Sequence, residues 1–437
     1  MVTMSQDYTQ YTIDNYILKI TGVFNYDKDF QKKAYEATYE ELQFSEDSEK
    51  FSKDFFYPDL RNQFFNNNKK RHSILVKKNT ENSIVDLFTY QFDGKTKSKE
   101  VQLKIIDSRL DLFEEGFGLF TLNIKIQTEK TDLSKFSDAA FLARNFETNI
   151  GHTHYDKWHQ YIEKEILVGA STRGNSIKVD EYSGSKYKLY MIIDIPELTE
   201  KNEMKSLLFD IGTLSRIGSA IGNNYDSMDK DYVKQLTNKN AISIFNNWEG
   251  LALLDTYTVV GNKILDTDWK KSTYLNIYHG IYLYCLFIKY NLFKYNFEIA
   301  DLDEDRRSNF QDFLAKYYFN YISYNFLPTE IYNKIRTSLD IEKELKLLNE
   351  KIVAVGQKIQ EEQQDKTNKI LGIVTVLTSV SSVQPVYDYL IEGQKILGWS
   401  SEIYWVTTIS IVLVLGGGVG FYVFGKNILK LIKKRKK

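Results

Sequence analysis

The sequence predicts an α+β membrane protein with an N-terminal cytoplasmic α/β domain, a helical stalk and a C-terminal two-helix transmembrane hairpin. Three observations predict it. From Ile403 to Phe424 no charged residue occurs, a run long enough for a helix to cross the roughly 30 Å hydrocarbon core of a bilayer. Lys426, Lys430, Lys433, Lys434, Arg435, Lys436 and Lys437 follow with no acidic residue among them, so the positive-inside rule places that end in the cytoplasm. The start, MVTMSQDYTQ, has neither a basic nor an apolar leader region, so both ends are expected to be cytoplasmic and the crossings even in number. The other crossing falls on ILGIVTVLTSVSSVQPVYDYL, Ile370 to Leu390. A bacterial inner membrane is the location that follows.

Composition sets the bounds. The chain has 437 residues and a net charge of -1, enough for the hairpin and a sizeable core. Acidic stretches such as Glu41 to Glu49 and Asp301 to Asp305 offset the basic tail, so no basic groove for nucleic acid is indicated. Cys285 is the single cysteine, which excludes an internal disulfide and suits a reducing compartment. Seven segments result: an α/β domain over 1–200, a mostly helical region over 201–338, a long stalk helix over 339–369, a first transmembrane helix over 370–390, an outer loop over 391–402, a second transmembrane helix over 403–425 and a basic tail over 426–437.

Taken in order, YTIDNYILKITGVF over 11–24 is rich in β-branched and aromatic residues and predicts a strand. Gln31 to Gln43 predicts a helix, and His72 to Val76 starts another strand. Asp93 and Gly94 separate two strand-like runs, Ser83 to Phe92 and Glu100 to Ile106, as a tight hairpin turn requires. Phe120, Leu122, Ile124 and Ile126 alternate with polar residues, the period-2 mark of a strand. Asp132 or Ser134 caps a helix that continues through Phe136, Ala139, Ala140, Leu142 and Phe146, with Arg144 near its end. Lys186 to Ile195 is a further strand, ended by Pro196. Asn202 to Ile217 reads as a helix, and Asn240 to Val260 as strand or loop. Ser272 to Phe293 and Arg306 to Asn325 are helices, and Pro328 marks the break before the last.

Ile341, Leu345, Leu348, Ile352, Val355 and Ile359 then step by four and three residues, a heptad seam of about three repeats. Such a seam needs a partner, either the helix's own domain or other copies of the chain. No proline separates it from the first expected span, so one helix can enter both.

A soluble α/β domain, a long helix feeding the first span, a two-helix hairpin and a Lys/Arg-rich tail together resemble the CorA superfamily of pentameric divalent-cation channels. The run Asn368, Lys369, Ile370, Leu371 through Leu377 and Thr378 looks like that family's entry into the pore helix. The family's Gly-Met-Asn signature is missing; the corresponding segment reads Gln384, Pro385, Val386, Tyr387, Asp388, so magnesium selectivity does not carry over. CorA-like proteins without the signature are similar to the membrane effectors of type III CRISPR antiviral systems. That resemblance implies a homopentamer gated by a nucleotide second messenger joining S-adenosylmethionine to AMP.

Asn368, Thr375, Ser379 and Ser382 recur at seven, four and three residues, which puts them on one helical face, either lining an aqueous path in a ring of copies or hydrogen-bonding across a helix interface. Asp388, Glu392 and Glu402, in or beside the outer loop, would concentrate cations at a mouth or stand in a solvated loop. Gly416 and Gly420 form a G-x-x-x-G suited to close helix packing. A nucleotide needs cations for phosphate and aromatics for bases; Arg144, Arg173 beside Gly174, and Trp248 qualify by residue type. His152, His154 and His159 with Asp156 form the one histidine cluster, read as a polar loop rather than a metal site. No hydrolase or metalloprotease motif occurs, and Cys285 sits in an aromatic helix. The function expected is therefore a cytoplasmically gated ion channel without enzymatic activity or resident cofactor. The alternatives are a constitutive divalent-cation transporter and a membrane-tethered scaffold whose seam pairs with another protein.

Overall fold

β1 (Asn15–Asn25) is buried along its whole middle, from Ile17 to Phe24, on both faces of the strand. That is why its sequence reads as a nearly continuous run of apolar, β-branched and aromatic residues. It is a central strand of a sheet that takes, in chain order, β2 (Glu40–Glu41), β3 (His72–Lys78), β4 (Phe88–Gln91), β5 (Glu100–Phe113), β6 (Phe117–Ile126), β7 (Lys188–Asp194), β8 (Ala241–Ile242), β9 (Trp248–Ala252) and β10 (Thr256–Gly261). The spatial order is β2-β3-β5-β6-β1-β7-β10-β9-β8, with β4 on β5. β7 and β10 run parallel, and the other neighbours are antiparallel.

This computed structural model describes residues 8, 11–42, 52–65, 72–78, 88–91, 100–114, 116–126, 131–144, 161–170, 186–215, 217, 224–298, 304–381 and short pieces between 384 and 410. The chain divides into two compact units, Met1–Leu348 and Asn349–Lys437.

Helices cover both faces of the sheet in the first unit. The helices referred to below are α1 (Phe30–Glu36), α2 (Leu133–Arg144), α3 (Lys201–Gly212), α4 (Lys230–Asn240), α5 (His279–Glu298), α6 (Glu304–Tyr317), α7 (Phe326–Ser338) and α8 (Ile341–Ser381). Leu18, Ile20, Phe24, Leu122, Ile124, Met191 and Ile193 share one core with Phe136 and Ala139 of α2 and Leu207 and Leu208 of α3. On the other face α5 packs through Phe287 against Phe113, ring centroids 4.4 Å apart. Nearly every residue of α5 from Ile281 to Phe293 is buried, so it has no polar stripe to mark it as a surface helix.

Several elements depart from their expected bounds. α1 stops at Glu36 because the chain turns through Thr38, whose φ of 68° is left-handed, into β2. β5 continues past Ile106 through Asp107, Arg109 and Asp111 to Phe113. A β-bulge between Ile105 and Asp107 shifts the register there and turns those charged residues onto the face beneath α5. The 240–260 stretch is three strands rather than loop. Asp132 accepts a 2.7 Å hydrogen bond from the Lys135 N–H and so caps α2. Pro328 lies in the first turn of α7, where its missing N–H leaves no helical bond unmade.

The membrane architecture is overturned. Among the described residues no helix is long and apolar enough to cross a membrane. The described part of α8 carries Glu361, Glu362, Asp365, Lys366 and Lys369 before its apolar residues Ile370 to Ser381. The second expected span, 403–425, lies mostly outside the described residues. With the hairpin go the membrane-protein fold class, the channel built on it and the inner-membrane location with both ends in the cytoplasm.

Candidate functional site

Arg144 ends α2, Lys188 begins β7, and Asp255 stands immediately before β10. Two backbone bonds fix their positions: Tyr187 N–H donates to Arg144 O at 2.7 Å, and Leu189 N–H donates to Asp255 O at 2.8 Å. The side chains then converge. Lys188 Nζ donates to Asp255 Oδ1 at 2.6 Å, and Arg144 Nη2 pairs with Asp255 Oδ2. Lys186, two residues before Lys188, is exposed and close enough to disfavour the Lys188 charge.

One carboxylate thus pairs with two cations, and a third, Lys186, lies near Lys188. Burial pushes the Asp255 carboxyl up, but the charges of Lys188 and Arg144 outweigh it and hold the carboxyl below its ordinary value. Burial pulls the Lys188 ammonium down, and Asp255 partly restores it. Arg144 Nε is buried with no hydrogen-bond partner among the described residues. The arrangement holds cationic donors in excess of their counter-charge, which is what an anion site requires.

The next rung of the same sheet face is aromatic, because Lys188 and Tyr190, like Asp255 and Tyr257, are two residues apart. Tyr190 and Tyr257 are register partners with ring centroids 5.3 Å apart. His279 and Tyr282, from the first turn of α5, lie 5.0 and 5.9 Å from the Tyr190 ring. Lys19 of β1, opposite Tyr190, donates to Leu275 O at 3.2 Å and faces His279 Nδ1 at 3.4 Å. Burial brings the Lys19 ammonium down to about 8, and burial followed by the Lys19 charge keeps His279 well below its ordinary value.

A second polar group occupies the β5 side of this face. His72 Nε2 meets Asp111 Oδ1 at 3.0 Å, His72 Nδ1 meets Phe64 O at 2.7 Å, and Arg109 donates to Asp111 through Nε and Nη2 at 2.8 and 2.6 Å. Burial pushes the Asp111 carboxyl up, yet the Arg109 charge and the His72 hydrogen bond hold it at about 2. The Asp111 carboxylate is spent on these bonds, and the group is a structural network.

Of the residues singled out in the sequence, Arg144 is in the cationic cluster. Trp248 is not: it is buried in β9 against Phe245, ring centroids 5.7 Å apart. Arg173, Ser382, His152, His154, His159 and Asp156 lie outside the described residues. Asn368 and Thr375 are half-buried in α8, and the Thr375 hydroxyl donates to Leu371 O at 2.7 Å. Ser379 also lies in α8. Asp388, Glu392 and Glu402 are exposed, and Asp388 accepts from Gln384 Nε2 at 3.1 Å. Cys285 is fully buried, and burial pushes its thiol up.

Sequence reasoning missed Lys186, Lys188 and Asp255. The signal was present in the alternation of Lys186 and Lys188 at the mouth of an otherwise apolar strand, and in a lone Asp255 between the apolar run Leu251 to Leu254 and the β-branched run Thr256 to Val260. No protein-family model, curated protein or solved structure matches the chain.

Proposed function

We propose that this protein is a self-associating sensor that binds an anionic ligand of the nucleotide class at Arg144, Lys186 and Lys188. The observation that carries the reading is the excess of cations around Asp255, with the buried Arg144 Nε unbonded among the described residues. Asp255 orients two of the cations, and the ligand supplies the missing negative charge. Binding without chemical conversion suits the site, which presents donors and no nucleophile. The test is calorimetric titration of the full chain with inorganic phosphate and AMP. Arg144→Gln and Lys188→Gln are each expected to weaken both by about tenfold or more, the loss of one charge-assisted hydrogen bond. Unchanged affinities would reduce the cluster to a structural ion triad.

Self-association is supported by α8. Ile370, Leu371, Ile373, Val374, Val376 and Leu377 are all at least half exposed, and apolar side chains on successive positions of a helix call for cover. Mass measurement by light scattering is expected to return a multiple of the 51.2 kDa chain. A monomer would remove this half of the reading. The channel and transporter alternatives both need the hairpin and are not carried forward.

A further inference from the structure

We propose that a cavity between α5, α6 and the β5–β6 turn binds a free apolar amino acid as its zwitterion. Its volume is about 280 Å³, just under the ~300 Å³ at which sites for drug-sized ligands begin, so it suits a molecule the size of one amino acid. The cavity lies within the first compact unit and shares no residue with the Asp255 cluster. It stands independently of the anion site proposed above.

Its floor and its rim differ in chemistry. Tyr295, Phe313 and Tyr317 line it and are buried, which makes the floor aromatic. The Phe313 ring lies 5.6 Å from that of Tyr295 and 5.8 Å from that of Tyr317, centroid to centroid. Tyr295 Oη donates to Asn309 O at 3.3 Å and ties α5 to α6 at this point. Such a floor favours an apolar side chain that leaves water.

The rim is charged, and its charges balance. Glu114 and Asp312 are the anions, Lys294 and Lys316 the cations. Each sign comes from two elements, the anions from the β5–β6 turn and α6, the cations from α5 and α6. Asp312 and Lys316 stand one helical turn apart, on the α6 face that also carries Phe313. Their charged atoms are 4.0 Å apart and their side chains 64% and 46% exposed, a loose pair that holds itself together weakly. The Glu114 carboxylate is exposed, with no hydrogen bond or ion pair among the described residues. A lone anion in this cavity would meet two carboxylates, and a lone cation two ammonium groups. A zwitterion meets each charge with its opposite, and an apolar amino acid has in addition a side chain for the floor.

The experiment is calorimetry on the full chain with L-phenylalanine and L-leucine. For each, the N-acetyl derivative removes the ammonium charge and the amide removes the carboxylate charge. At least one of the two amino acids is expected to bind with a Kd below about 1 mM, and its two derivatives at least about tenfold more weakly. Glu114→Gln and Lys316→Gln alter exposed positions and leave the floor intact. Each should weaken the bound amino acid by about 3- to 10-fold, the range for one charge-assisted contact at a partly exposed site, with the unliganded melting temperature unchanged. Glu114→Gln should also narrow the gap between the amino acid and its N-acetyl derivative, and Lys316→Gln the gap between the amino acid and its amide. Failure of both amino acids to bind, derivatives that bind as tightly as their parent amino acid, or variants that bind as the unaltered chain does would each overturn the proposal.

Discussion

Asp255 shows how much one side chain can hold in place. It pairs with Arg144 and Lys188 at once, so Asp255→Asn strands two partly buried cations. Leaving a charge without its partner costs about 3 kcal/mol, and the urea midpoint of Asp255→Asn should fall accordingly. Asp111 makes a different prediction because its carboxyl is held at about 2, below its ordinary 3.8. The unfolded chain then binds more protons between those values. The stabilisation, about 2 kcal/mol, is present above pH 4 and lost as pH falls to 2. Acid titration followed by circular dichroism should show a shallower slope for Asp111→Asn than for the parent chain.

Strands and helices carry predictions of their own. β1 and β6 approach closely where Gly22 faces Phe120, and a Cβ on Gly22 would overlap that ring. Gly22→Ala is expected to cost about 1–3 kcal/mol as an overpacked core position, read as a lower melting temperature. Beneath α5, Tyr190, Tyr257 and Tyr282 are raised well above the ordinary value of 10 by burial. A raised acid constant in the folded state means that this stability is full below pH 10 and lost as pH rises past it. Tyrosinate absorbance from these residues should therefore appear only together with loss of the far-ultraviolet signal. The β5 strand explains an error of pattern reading: Asp107, Arg109 and Asp111 alternate with period 2, but the charged side faces inward. Charge on the inner face is the opposite of what a half-buried strand displays, so the expected strand stopped at Ile106.

At the scale of the whole molecule, the ten-stranded sheet takes strands from both sides of Pro196, and α8 is shared between the two compact units, Ile341 to Leu348, about two turns, in one and the remainder in the other. In the first unit Glu344 of α8 pairs with Lys289 of α5, and Glu342 with Arg336 of α7 at 2.5 Å. Removing the apolar cover from copies of α8 should then separate assembly from folding. Ile370→Glu with Leu371→Glu is expected to reduce the mass seen by light scattering while leaving the melting temperature of the chain within a few degrees. If the mass stays unchanged, association does not run through α8.

Local pattern was enough for β1, β3, β6, β7, α2 and the heptad run, because period-2 and period-3.6 burial are written in the order of side chains. It was enough to mark Arg144 as a cation at a helix end. It was not enough for the site. Arg144, Lys188 and Asp255 come from segments 44 and 67 residues apart along the chain, and only the pairing of β7 with β10 brings them together. Nor could local pattern separate apolar residues that cross a membrane from those that line a core or an interface. Hydropathy records the wish to leave water, and the length of the helix and its neighbours decide where that wish is met.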